Sequence, residues 1–187
     1  MKLKLRWRPP VISEQGIASY LARVVFESRH LLIVPNCQWP GSECDLLVVT
    51  HNLRIIDVEI KISRADLKAD AKKQKWFENW DWKIDGPPPN NPKDRKHRPR
   101  RWPTRVWKHY YCLPNKIWMP KLTEAINPNS GILLLQDRDD GIPVKVMRRA
   151  KANPKAEKIS AEDAIDIARL ASLRMWAAYD KLEGRKR

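Results

Sequence analysis

The chain is poor in glycine (six residues), in phenylalanine (two) and in cysteine (three) for its 187 residues. No glycine-rich phosphate loop is present, which sets aside the usual mononucleotide cradle. No HExxH, CxxC or other paired His/Cys spacing is present, so a zincin or zinc-finger reading has no support. Cys37, Cys44 and Cys112 are too few and too scattered for a disulfide framework, and they set the expectation of a reducing cytoplasm. No run of about 18 apolar residues occurs, which argues against a membrane span. The basic start Met1-Lys-Leu-Lys-Leu-Arg-Trp-Arg meets Pro9-Pro10 instead of an apolar stretch, against the pattern of a secretory signal. A Ser-His-Asp arrangement and internal repeats are also missing.

Positive charge is abundant. Thirty-seven Lys and Arg against 22 Asp and Glu leave +15, with a pI near 10. Such a field attracts polyanions, and nucleic acid is the partner it suits best. Hydrophobic residues make up 42% and charged residues 32%, which suffices for a packed core in a chain of one-domain size. Nine tryptophans are many, and Trp76, Trp80, Trp82 and Trp102 lie in or beside a polar, basic stretch.

Patterning along the chain predicts an α/β order. Ser13 is an N-cap for a helix whose apolar stripe is Ile17, Leu21, Val24 and Val25. Leu31 to Val34 reads as a buried strand closed by Pro35-Asn36. Cys44 to Thr50 and Leu53 to Ile62 read as the arms of a hairpin turning at His51-Asn52. Ser63-Arg-Ala-Asp66 opens a helix expected to reach about Asp81. Further strands are expected at His109 to Leu113, Gly131 to Gln136 and Val144 to Arg149. Ser160 caps a last helix carrying Ile165, Ala168, Leu170, Leu173, Trp176 and Ala177. Residues 83–108 differ from the rest. Six prolines and nine Lys/Arg against two Asp, a charge of +7, read as an extended insertion within one domain spanning 1–187.

One constellation carries chemistry. Glu59 and Lys61 are separated by one residue on a strand, so they share a face, as does Asp57. Pairing across the hairpin brings Asp45 towards them. Carboxylates and an ammonium on otherwise apolar strands are costly unless paired or metal-bound, and hard oxygen donors of this kind select Mg²⁺ or Mn²⁺.

Asp45, thirteen intervening residues and Glu59-Ile60-Lys61 resemble the PD-(D/E)xK nuclease signature, with Cys44 in place of the signature proline. The longer strings Glu43-Cys-Asp-Leu-Leu-Val-Val-Thr50 and Val58-Glu-Ile-Lys-Ile-Ser-Arg-Ala-Asp-Leu-Lys-Ala-Asp70 resemble the MmcB-like DNA-repair and phage proteins of that superfamily. So do His109-Tyr-Tyr-Cys-Leu-Pro114 and Ala168-Arg-Leu-Ala-Ser-Leu-Arg-Met-Trp176. The resemblance implies a restriction-endonuclease-like mixed β-sheet core flanked by helices. It implies that Asp45, Glu59 and the Ile60 carbonyl hold Mg²⁺ or Mn²⁺. Lys61 would orient or help deprotonate the attacking water, and Glu14 would be a further metal or water contact. The implied activity is metal-dependent hydrolysis of DNA phosphodiester bonds in repair, recombination or phage DNA processing, with RNA left open as a substrate.

Around this group, Arg64 and Lys75 are candidates for contact with the nucleic acid. In the insertion, Arg98, Arg100, Arg101 and Arg105 would neutralise phosphates while Trp102 or Trp107 stacks on an unpaired base. Two other readings use the same residues: a nucleic-acid-binding protein without turnover, and a basic interaction subunit of a larger DNA-processing complex.

Overall fold

The computed structural model describes residues 13–27, 30–79, 81–87, 98–136 and 144–184. Six strands form one sheet in sequence order: β1 (His30–Cys37), β2 (Cys44–Thr50), β3 (Ile55–Ile60), β4 (Lys108–Pro114), β5 (Gly131–Leu135) and β6 (Val144–Arg148). β1–β2–β3 is an antiparallel meander, β3–β4 and β4–β5 are parallel, and β5–β6 is antiparallel. The molecule is therefore α/β with a mixed sheet flanked by helices. No described helix is long and apolar enough to cross a membrane.

Helix α1 (Glu14–Tyr20) starts where Ser13 accepts a hydrogen bond from the Gly16 amide, and it runs on into one π-helical segment, Leu21–Val25. Ile17 and Leu21 bury against Leu46, Val48, Val58 and Ile60 on one face of the sheet. Val24, expected on that stripe, is instead exposed, because the π turn rotates the register of the helix at that point.

The opposite face carries two cores. Over β1 and β2, Val34, Leu47, Val49, Ile55 and Val106 pack with Ile167 of α4 (Ala161–Leu182). Over β4 and β5, Leu67 of α2 (Arg64–Asp70) packs with Trp76, Tyr111, Leu113, Ile132 and Leu134. Alternation along β3 sends Ile56, Val58 and Ile60 to the first face. It sends Asp57, Glu59 and Lys61 to the second, between its two apolar patches.

Several boundaries differ from the sequence expectation. β1 passes through Pro35 and ends at Cys37, which an edge strand permits because a proline there need not donate to a neighbour. The β2–β3 connection is the four residues 51–54. Leu53 takes a left-handed φ of 59° and its amide donates to the Thr50 carbonyl, so β3 begins only at Ile55. Helix α2 stops at Asp70 instead of running to Asp81, and a single 3-10 turn, Gln74–Trp76, follows. The expected 137–143 turn lies outside the described residues.

From Arg98 onward the insertion is tied to the body of the domain. After the four-residue helix α3 (Trp82–Asp85), Pro99 bridges to Phe77 and the Arg100 amide donates to the Trp76 carbonyl. Val106 is fully buried, and the Trp107 amide donates to the Ile55 carbonyl. In α4, Ser160 and Asp163 form the expected reciprocal cap. The face of α4 that packs on the sheet is Ala164, Ile167, Leu170 and Ala171. Of the apolar residues named for this helix from the sequence, Ile165, Leu173 and Trp176 are exposed.

Candidate active site

Asp45 is one step beyond the Leu46↔Val58 pair, directly across from Glu59. Its Oδ2 accepts both the Ile60 amide at 2.7 Å and the Lys61 ammonium at 3.2 Å. Both contacts fall on the same oxygen, and the side chain keeps about a quarter of its surface in solvent. Lys61 also donates to Glu59 Oε2 at 2.6 Å. Glu59 and Lys61 are 1% and 3% exposed, so this is a desolvated pair at the floor of the group.

The other Glu59 oxygen is taken by Lys75, whose Nζ lies 2.6 Å from Oε1. Lys75 also approaches Asp70 at 3.4 Å and is itself buried. Its position explains the early end of α2: leaving the helix at Asp70 lets the 3-10 turn bring Lys75 and Trp76 back onto the sheet. Asp70 is fully buried and holds Lys73 at 2.9 Å, Tyr111 Oη at 2.5 Å and Trp76 Nε1 at 3.3 Å. Asp45, Glu59 and Asp70 thus face Lys61, Lys73 and Lys75, three negative charges against three positive.

Parallel pairing sets Asp57 beside His109 and Glu59 beside Tyr111. His109 Nδ1 is 2.9 Å from Ser130 Oγ, and Nε2 is 3.7 Å from Asp57 Oδ2, beyond hydrogen-bond reach. Among the described residues, neither Asp57 oxygen nor His109 Nε2 has a hydrogen-bond partner, and all three atoms are buried. The rings of Trp76 and Tyr111 enclose His109 edge-on at 4.9 and 4.7 Å.

Burial and charge set the protonation states. Burial alone would lower the Lys61 pKa, but Glu59, then Asp45 and Asp70, more than reverse this and raise it, so Lys61 is held as an ammonium. Lys75 is raised in the same way, with Asp57 and Glu59 as its main partners. Asp70 is resisted by burial yet held well below the usual carboxylate range by Lys75, Tyr111 and Lys73. Asp57 is pushed up to about 7 by burial, partly opposed by Lys75. His109 is lowered well below 6.5, by burial first and Lys75 second, and is neutral.

The sequence candidates divide into three sets. Asp45, Glu59 and Lys61 converge. Ile60 enters the group through its amide N–H, which Asp45 accepts, while its side chain lies in the core on the other face. Glu14 does not join them: it is exposed in the first turn of α1, which packs on the other face of the sheet. Lys75, a candidate for contact with the nucleic acid, is off the helix and buried against Glu59. Arg64 is exposed and donates to the Ile117 carbonyl at 2.8 Å.

Arg98 is paired with Glu78 at 2.9 Å and Asp85 at 3.0 Å. Trp102 Nε1 donates to the Lys151 carbonyl, and Arg105 lies over the Trp39 ring at 5.0 Å. Arg100, Arg101, Trp102 and Arg105 border a cavity of about 500 Å³ together with Asn153 and Lys155. Sequence reasoning missed Asp70, Tyr111 and His109 as members of the buried group. A lone histidine carries no spacing signal, and its parallel register with Asp57 is set by the long β3–β4 connection.

Two sets of residues can be tested against a metal. Asp45 and Glu59 supply hard carboxylate oxygens at a partly open position, which fits a divalent cation if Lys75 yields one Glu59 oxygen. Deeper in, Asp57, Glu59 and His109 each offer a ligand atom within 4.8 Å of the others, in a wholly buried position.

No family model matches the chain, and no curated protein does. A solved structure of a protein of unknown function from Silicibacter pomeroyi is similar in fold, with a TM-score of 0.51 at 17% identity over 96% of this chain and 94% of that one.

Proposed function

We propose that the chain is a metal-dependent nuclease with a restriction-endonuclease-like core, hydrolysing DNA phosphodiester bonds in repair, recombination or phage DNA processing. The observation that carries this reading is the convergence of Asp45, Glu59 and Lys61 from two adjacent strands, with one ammonium bridging both carboxylates at 3.2 and 2.6 Å. Asp45 and Glu59, with the Ile60 carbonyl, would hold Mg²⁺ or Mn²⁺, which lowers the pKa of a bound water and polarises a phosphoryl oxygen. Lys61, held as an ammonium by its carboxylate neighbours, is suited to orient the water and to stabilise charge on the phosphate, and not to accept a proton. Trp76, Tyr111 and His109 close the back of the group to water. Glu14 is left without a role.

A second reading is favoured by the lysines themselves. Both Glu59 oxygens are already matched by ammonium groups, so the group is neutralised without a metal, as a nucleic-acid-binding protein without turnover would allow. Purified protein incubated with circular single-stranded, circular duplex and linear DNA, with and without Mg²⁺ or Mn²⁺, separates the two. Metal-dependent cutting of circles supports an endonuclease. Retention of every substrate uncut, with DNA bound, supports the second reading.

A further inference from the structure

The parallel β3–β4 register sets Asp57 against His109, and both are fully buried. His109 Nδ1 lies 2.9 Å from Ser130 Oγ. With the single proton of a neutral imidazole donated there, Nε2 presents a lone pair to Asp57 Oδ2 at 3.7 Å. Two acceptors are then aimed at each other. Among the described residues, neither of these atoms nor Asp57 Oδ1 has a hydrogen-bond partner. Buried polar atoms are costly in that condition, and a cation is what two facing acceptors call for.

The separation suits an ion better than a shared proton. A hydrogen bond would bring nitrogen and oxygen to about 2.7–3.2 Å. Two donors about 2.1 Å from one ion and about 109–120° apart stand about 3.4–3.6 Å from each other, close to the distance between His109 and Asp57. Glu59, two residues along β3 on the same face, offers a third donor, and the three ligand atoms lie within 4.8 Å of one another. Ligands about 2.1 Å from an ion lie within about 4.2 Å of each other, so closing by at most about 0.6 Å completes the set.

The neighbouring lysines leave room for this. Lys61 and Lys75 donate to Glu59 Oε2 and Oε1, but each carboxylate oxygen carries two lone pairs and keeps one. Asp45, Glu59 and Asp70 are matched by Lys61, Lys73 and Lys75, which leaves the Asp57 charge over.

We propose that Asp57, Glu59 and His109 form a second ion site, for a divalent transition ion of the Zn²⁺ type, with one position left for water. The imidazole nitrogen selects such an ion over Mg²⁺, which separates this position from the oxygen-donor one at Asp45. Burial, then the Lys75 charge, keeps His109 neutral and able to ligate. Ser130 fixes its tautomer, as the outer partner of a ligating histidine does. Trp76 and Tyr111 wall the ring, so the ion is taken up as β4 docks and clasps β3 to β4. The site stands whether or not the chain cleaves DNA.

The test refolds the full chain from metal-free denaturant in the presence of Co²⁺, whose visible spectrum reports its coordination. Wild type and Asp45→Asn are each expected to take up one ion per chain with a four-coordinate spectrum. Zn²⁺ should abolish that spectrum by displacement and Mg²⁺ should not, and either transition ion should raise Tm. Asp57→Asn keeps the shape of the side chain and is expected to fold yet lose both spectrum and Tm shift, as is His109→Gln. Ser130→Ala should retain the spectrum with affinity about 10–100-fold weaker. X-ray absorption on the Zn²⁺-loaded wild type depends on no variant, and imidazole scattering is expected in it. A wild type without the Co²⁺ spectrum, or an oxygen-only shell around zinc, overturns the site. So does a spectrum unchanged in Asp57→Asn, which is adventitious binding, or one lost in Asp45→Asn, which belongs to the outer position.

Discussion

Lys75→Met separates a buried counter-ion from a solvated DNA contact. The substitution keeps most of the aliphatic stem and removes the ammonium that lies 2.6 Å from Glu59 and 3.4 Å from Asp70. Both carboxylates are buried, so each loses a partner where water cannot replace it. Removing one member of a buried ion pair costs about 3–5 kcal/mol. In a chain of this size, each kcal/mol moves Tm by about 2–4 °C, so a fall of about 6–20 °C is expected in thermal unfolding followed by circular dichroism. The cost belongs to the pairing, so Glu59→Gln/Lys75→Met should lose less than the sum of the two single variants, by about 0.5–3 kcal/mol. A substitution at an exposed, uninvolved position stays within about 0.5 kcal/mol. A Tm change below about 2 °C accompanied by weaker DNA binding would refute the reasoning and return Lys75 to the solvated surface.

Asp57→Asn tests the raised carboxyl. A carboxyl whose folded pKa, about 7, exceeds its unfolded value of 3.8 is protonated in the fold while ionised in the unfolded chain. Its contribution therefore falls as pH rises between those two values, by about 1.4 kcal/mol per pH unit, and is constant above about 7. Wild type should lose stability relative to Asp57→Asn across pH 4.5–7.5 in parallel Tm series, and equal slopes would place Asp57 in a solvated setting. For the metal, calorimetric Mn²⁺ binding should disappear in Asp45→Asn/Glu59→Gln and persist in Lys61→Ala; unchanged binding in the double variant defeats the ligand assignment. For the nucleic acid, replacing Arg100, Arg101 and Arg105 with Ala should flatten the slope of log K against log salt by up to about 2.7 units, at about 0.9 per phosphate contact. Arg98→Ala should instead lower thermal stability, since Arg98 is already held by Glu78 and Asp85; a salt slope unchanged in the triple variant would remove those three arginines from the interface.

The parts that were legible in the sequence are those decided locally. The β2 and β3 arms announce themselves as Val/Ile/Leu runs, and alternation within β3 places Asp57, Glu59 and Lys61 on one face without further information. The caps at Ser13, Ser63 and Ser160 all hold, because each is a hydrogen bond spanning three residues. What failed was decided by tertiary contact. Helix propensity favours extending α2 through its lysines, but the ion pairs of Lys73 and Lys75 with Asp70 and Glu59 end it. In α4, periodicity reveals apolar stripes without saying which one meets the sheet, and the larger residues lie on the outer one. In the insertion, proline and arginine suggest solvated chain, while Val106 and the backbone ties to Trp76 and Ile55 make residues 98–107 part of the body.

The change from antiparallel to parallel pairing at β3–β4 divides the site by folding order. Asp45, Glu59 and Lys61 meet within a hairpin, whose closure involves a four-residue connection and few lost chain conformations. His109 and Tyr111 arrive only when β4 docks, which requires closing residues 61–107 at an entropic cost of about 3 kcal/mol plus a constant. Lys75 lies within that closing segment. Short-range contacts form sooner than long-range ones, so the acid–lysine trio can be set before the wall that dries it. A fragment ending after Lys61 keeps the residues of the trio adjacent along the meander but leaves them in water. There the ammonium bridging the two carboxylates is a weak surface pair instead of a desolvated one.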